Sequence, residues 1–283
     1  MTEYVDIEGG RIAYDEIGTG PLVVLSHGMG IDRNAYKHLA PMIAAAGYRV
    51  VNTDMRGHGE SSMGWASVTG KEAISRTDVA NDLLAVIEKL GGGPAVVVGH
   101  SLSGGSATIA AAQRPDLVRA IVEINPFTLT QKADIMALFT NARHRKGMIP
   151  LMGTMMFKSL GQWLKYLNVA MPTKPADFDD YLAEVAAKLR EPGRMAEFMK
   201  TGQSTPADAE AQVPNVTQPA LIIMGTADPD FPSPEAEGQR VVAALPAGLG
   251  SLGLVEGTGH YPQFEAPDRV AALILPFLKE HHA

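Results

Sequence analysis

Three residues on short loops of small residues, each directly after an apolar run fit for a strand, have types that could together carry acyl transfer. Ser101 stands in AVVVGHSLSGG at 95–105, Asp228 closes GTAD after the run 220–224, and His260 closes GTGH after the run 251–255. A serine hydroxyl is a weak nucleophile until a base takes its proton. An imidazole can take that proton and return it to the leaving group. A carboxylate can fix the imidazole's tautomer and stabilise its charged form. Asp230, two residues beyond Asp228, reads as an exposed loop carboxylate with a reserve role as the acid.

These side chains are far apart in sequence, so a fold must collect them. Residues 4–7 and 11–15 flank Glu8-Gly9-Gly10 and predict an opening hairpin. Residues 22–25, 48–53, 95–98, 120–124, 220–224 and 251–255 read as further strands. Between them, 36–46, 77–90, 235–245 and 268–279 carry helical spacing. Strands alternating with helices predict a mostly parallel central sheet with helices on both faces. In such sheets the reactive groups gather beyond the carboxyl ends of the strands, where Ser101, Asp228 and His260 all fall.

The period changes at Phe127. From 127 to 213 the chain shows helical and loop segments, including a helix over 181–189 and a proline-containing connection over 171–175. The expectation is a core domain formed by 1–126 and 214–283, with a mainly helical lid inserted at 127–213. Eight of the 14 methionines fall in that insertion: Met136, Met148, Met152, Met155, Met156, Met171, Met195 and Met199. They suit an adaptable apolar roof and equally suit gap-filling between helices. Arg143-His144-Arg145-Lys146 is the one dense basic run; it reads as a solvated face, with a lid-edge patch that attracts an anionic substrate as the alternative.

The turn around Ser101 resembles the nucleophile elbow of the α/β-hydrolase family, and other stretches extend that resemblance. Ser26-His27-Gly28-Met29-Gly30 resembles the family's His-Gly oxyanion loop, and Asp54-Met55-Arg56-Gly57-His58-Gly59-Glu60-Ser61 its DxRGxGxS loop. The chain order Ser, Asp, His is also the family's. The resemblance implies Ser101, Asp228 and His260 as the triad and the backbone N–H groups of Met29 and Leu102 as the oxyanion hole. It implies scaffold roles for Asp54 and His58, with Asp54 and Arg56 pairing to brace their turn, and a loop-ordering role for His27. Ser103 departs from the pattern, standing where the family usually has the last elbow glycine. Its hydroxymethyl group is expected to loosen the helix on the strand without closing the corner.

The implied activity is that of a serine esterase: hydrolysis of carboxylic esters of small to medium acyl substrates through an acyl-enzyme, with no cofactor and no metal. Serine at the elbow separates this chain from relatives with Asp there, such as haloalkane dehalogenases and epoxide hydrolases, and from dienelactone hydrolases, which have Cys. Tyr261 beside His260 separates it from hydroxynitrile lyases, which resemble this triad but place lysine there. Perhydrolase or haloperoxidase-like activity, carbon–carbon bond hydrolysis and a ligand receptor on the same scaffold remain alternatives.

Composition bounds the remaining classes. A net charge of −7, with no long basic tract, speaks against nucleic acid and for a small-molecule partner. The absence of cysteine excludes thiol catalysis, disulfides and thiolate metal sites. No apolar run approaches the ~20 residues of a membrane span. The start MTEYVDIEGG has no signal-like apolar region, so a soluble, cytoplasmic protein is expected. His281 and His282 read as a polar tail, and oligomeric state leaves no trace in the sequence.

Overall fold

Runs of Val, Ile, Leu and Ala without polar alternation can be strands only if both of their faces are covered. The computed structural model, which describes residues 1–131 and 134–281, covers both. Eight strands, β1 (Glu3–Ile7), β2 (Gly10–Ile17), β3 (Leu22–Ser26), β4 (Arg49–Thr53), β5 (Ala95–His100), β6 (Val118–Ile124), β7 (Ala220–Gly225) and β8 (Gly250–Val255), form one sheet in the order β1-β2-β4-β3-β5-β6-β7-β8. β1 and β2 form the expected antiparallel hairpin, and β2 also pairs antiparallel with β4. From β4 to β8 every pairing is parallel.

Successive residues of the central strands feed two separate cores. Val24, Val97, Ile121 and Ile222 pack against α2 (Arg76–Leu90) and α3 (Leu102–Gln113). Val23, Val96, Val122 and Ile223 pack on the opposite face against α1 (Leu39–Ala45) and α12 (Pro267–His281). α1 follows β3 on one face and α3 follows β5 on the other. Because β3 and β5 are neighbours, their C-terminal loops diverge and open a crevice at that point.

Between β6 and β7 the chain passes through α4 (Ile135–Thr140), α5 (Ala142–Phe157), α6 (Leu160–Ala170), α7 (Phe178–Arg190), α8 (Arg194–Thr201) and α9 (Ala207–Glu210), with no strand among the described residues. Trp163, Tyr166, Tyr181 and Phe198 from these helices form a third apolar cluster with Tyr261 and Phe264. α10 (Pro234–Ala244) follows β7, and α11 (Pro262–Glu265) follows the His260 loop.

The helix expected over 36–46 is split. Asp32 caps a short 3-10 turn at Arg33–Tyr36, and α1 begins only at Leu39. Pro41 has no N–H and is tolerated in the first helical turn, which favours that late start. α2 begins one residue before the sequence suggests, because Ser75 and Asp78 form a capping box. His281 ends α12 against the ring of Phe277; His282 lies outside the described residues. Among the described residues, no helix is long and apolar enough to cross a membrane.

Candidate active site

β5 ends in a corner with Ser101 at φ 56° and ψ −115°, a conformation that costs a non-glycine residue about 1–3 kcal/mol. Backbone contacts hold it there. Ser101 N–H donates to Ile124 O at 2.9 Å, while Ser101 O accepts from Gly104 N–H and Phe127 N–H, each at 3.1 Å. The loop after β3 comes so close that a Cβ on Gly28 would lie 2.8 Å from Ser101 Cβ. Ser103 does the opposite of the expected loosening. Its hydroxyl donates to His27 O at 2.6 Å and lies 2.9 Å from Ser26 Oγ, so it ties α3 to the β3 loop.

Asp228 and His260 meet as their positions at strand ends suggest. His260 Nδ1 is 2.7 Å from Asp228 Oδ2, and both side chains are buried. Their loops are stitched together by Ala227 N–H to Thr258 O at 2.8 Å, while His260 N–H donates to Ala170 O at 2.7 Å. Among the described residues Ser101 Oγ makes no hydrogen bond to His260; the two loops meet instead through the neighbours of Ser101. The His100 ring lies 4.8 Å from the His260 ring and its Nε2 is 2.7 Å from His260 O, and the Phe127 ring lies 6.0 Å from the imidazole on another side.

Asp230 corrects the sequence reading: it is a buried member of this cluster. One of its oxygens lies 3.7 Å from His260 Nδ1, its N–H donates to Asp228 Oδ1 at 2.8 Å, and Tyr166 OH is 2.8 Å from both carboxylate oxygens. Burial disfavours the His260 cation, but the charges of Asp228 and Asp230 and the Asp228 hydrogen bond outweigh it, raising the imidazole pKa to about 9. Burial raises Asp230 above the ordinary carboxylate range. The His260 cation opposes that rise, and Asp228 adds to it.

The amides of Met29 and Leu102 have no acceptor among the described residues. Both residues line a cavity of about 370 Å³ that Ser101 and Asp230 also line. Ser101 is only 4% exposed, so the cavity is its approach. A second cavity of about 420 Å³ shares Phe127, Gln131, Leu151 and Asp230 with the first, and Met148 and Met152 are in its wall.

The helices between β6 and β7 are fastened to these loops. Trp163 Nε1 donates to Gly30 O at 2.9 Å. The basic run is only partly solvated: Arg143 donates to Phe231 O and Pro232 O, and His144 Nδ1 is 2.8 Å from Pro229 O, so both clasp the loop that carries Asp228. Asp54 and Arg56 do not pair with each other. Asp54 is held by Arg33, and Arg56 forms a bidentate pair with Asp82. His27 braces its loop, with Nδ1 2.7 Å from Gly28 O and Nε2 accepting from Met55 N–H. Burial lowers His27 and His58 to about 4, which keeps both neutral.

Two positioning residues escape the sequence reading. Asn125, at φ 41°, donates to Gly259 O at 2.8 Å and accepts from Gly225 N–H at 2.7 Å, bridging the acid and histidine loops. Asparagine tolerates positive φ better than most residues, so the Asn-Pro pair after β6 is the available signal. Tyr166 has none, because its partner is 64 residues away.

Ligand atoms of Asp228, Asp230 and His260 lie within 4.8 Å of one another, close enough for a cation. Those atoms are already engaged. His260 Nδ1 is bonded to Asp228, and Asp230 accepts from Tyr166.

Residues 23–273 match the alpha/beta hydrolase family. The chain is 30% identical over 288 residues to 2-(acetamidomethylene)succinate hydrolase of Mesorhizobium japonicum, covering 98% of this chain and 95% of that one. It is 36% identical over 126 residues to bifunctional epoxide hydrolase 2 of Sus scrofa, covering 44% of this chain but only 22% of that protein. Among solved structures, a thermophilic esterase from Thermogutta terrifontis superposes over 100% of both chains, with a TM-score of 0.74 at 20% identity.

Proposed function

The chain belongs to the alpha/beta hydrolase family, and from that premise we propose that it is a serine hydrolase cleaving carboxylic esters or related acyl bonds through an acyl-enzyme on Ser101. The observation that carries this reading is the 2.7 Å contact of His260 Nδ1 with a buried Asp228 beside the strained Ser101 corner. Asp228 occupies Nδ1, which leaves Nε2 to receive the serine proton. Ser101 Oγ attacks the acyl carbon, and His260 passes the proton to the leaving oxygen as the ester bond breaks. Water, deprotonated by the same imidazole, then attacks the acyl-enzyme and releases the acid and free Ser101.

The amides of Met29 and Leu102 are the donors for the oxyanion of each tetrahedral intermediate, where one such donor contributes about 3 kcal/mol. Residues 127–213 act as a lid over a core of 1–126 and 214–283. The cavity walls contributed by α5 and the Trp163 bond to the Met29 loop support that division. The substrate is a small molecule, since cavities of about 370 and 420 Å³ suit ligands of that size.

Hydrolysis of p-nitrophenyl acetate and butyrate by the wild type and Ser101→Ala tests this reading. A loss of about 10³-fold or more in kcat is expected on removing the nucleophile. Equal rates in the two proteins would remove Ser101 from the mechanism.

A further inference from the structure

Arg76 is the first residue of α2, is 5% exposed, and lines the same cavity as Ser101, Met29 and Leu102. A cation at a helix N-terminus opposes the helix dipole. Among the described residues no carboxylate lies within 4.0 Å of it. The nearby Asp208 is engaged elsewhere, accepting from Thr77 N–H, Thr77 Oγ1 and Ala209 N–H. Arg76 Nε donates to Phe127 O at 2.7 Å, but Nη1 is buried without a partner. A buried charge left without a partner is costly. Desolvation lowers the group's pKa to about 10 and the charge of Asp208 opposes that fall, so the guanidinium stays charged at neutral pH.

The elbow sequence makes room for this arginine. A Cβ on Gly105 would lie 2.8 Å from Arg76 Cδ and 3.1 Å from Nε, so the second glycine after Ser103 lets the side chain lie against α3. The other charged group on the cavity wall, Asp230, is held by Tyr166 and His260. Arg76 is thus a cation with an open donor, and its planar fork matches a carboxylate.

Building on the serine-hydrolase reading, we propose that Arg76 binds a carboxylate on the substrate, so that the preferred substrates are esters or related acyl compounds carrying a second, ionised carboxyl group. Arg76 selects substrate and takes no part in proton transfer. Thr130 and Thr205, which also line the cavity, carry hydroxyls that could donate to such an anion, whereas the Gln131 amide N–H groups are committed to Leu129 O and Glu237.

The test compares mono-4-nitrophenyl glutarate with its methyl ester, which has the same chain and leaving group but no charge, in wild type, Arg76→Gln and Arg76→Lys. Wild type should favour the acid in kcat/KM by about tenfold or more. Arg76→Gln should reduce that acid-to-ester ratio by about 10- to 100-fold, the effect of losing a charge-assisted hydrogen bond, and Arg76→Lys should restore part of it. A ratio near one in the wild type, or one unchanged in Arg76→Gln, overturns the proposal. Calorimetric titration of glutarate into Ser101→Ala, with and without Arg76→Gln, separates the two readings. Arg76-dependent glutarate binding without any ester cleavage would sink the hydrolase reading alone. Ser101-dependent cleavage without glutarate binding would sink the carboxylate site alone. If Arg76→Gln does not fold, the wild type decides: glutarate must inhibit and the neutral diamide glutaramide must not, and equal inhibition by both overturns the proposal.

Discussion

Asp230 lies 3.7 Å from Nδ1 of His260, the same nitrogen that Asp228 holds at 2.7 Å, so one imidazole faces two buried carboxylates. Asp228 has the hydrogen-bonding position. Asp230 adds negative charge and is itself held by Tyr166.

That arrangement sets the pH dependence. An imidazole acts as a base only when neutral, and the pKa of His260, the proposed base, is raised from 6.5 to about 9, so its imidazolium persists through neutral pH. The fraction of competent enzyme therefore rises with pH. On a logarithmic plot, kcat/KM for a neutral p-nitrophenyl ester should climb with unit slope below about 9 and then level. A profile already flat at pH 7 would contradict the raised value.

Asp230→Asn removes one of the charges that raise His260, so the rising limb should move to lower pH, with more activity at pH 7 than in the wild type. Asp228→Asn should instead lower kcat by about 10⁴-fold, as expected when the imidazole loses the partner that fixes its tautomer. A pH-rate series on both variants distinguishes the two acids. The reverse pattern would exchange their roles.

Ser103→Ala removes the hydroxyl that joins α3 to His27 O and Ser26 Oγ. The buried His27 carbonyl then loses its donor, at a cost of about 1–3 kcal/mol. For a chain of this size that lowers the melting temperature by several degrees, at about 2–4 °C per kcal/mol. Differential scanning calorimetry checks it, and an unchanged or higher midpoint would mean that the hydroxyl does not brace the elbow.

Trp163→Phe keeps most of the apolar volume of α6 but removes the Nε1 donor to Gly30 O. Stability should fall by about 1–3 kcal/mol, and kcat/KM should fall because the loop carrying Met29 loses a brace. Denaturant titration and ester kinetics on the same preparation test both. Lost stability with unaltered kinetics would confine Trp163 to packing.

What the sequence revealed follows from locality. Ser101, Asp228 and His260 each follow their own strand within a few residues, so strand patterning placed all three at one edge of the sheet. The Asp230–Tyr166 contact, Arg33 as the partner of Asp54, and the clasp of Arg143 and His144 on the Asp228 loop depend on pairings made through the fold. Arg76 was hidden for a related reason: the first residue of a helix looks exposed until α3 and Phe127 cover it. The methionines between 127 and 213 divide, with Met148 in a cavity wall, Met171 and Met199 buried, Met136 and Met156 well exposed, and Met152 both at the cavity and exposed. Composition could not separate those fates.

In the proposed reaction Ser101 carries the covalent acyl intermediate. Intact-protein and peptide mass spectrometry after exposure to a fluorophosphonate should find one adduct, on the peptide containing Ser101, and none on Ser101→Ala. An adduct on another residue, or equal labelling of the Ser101→Ala protein, would contradict the account.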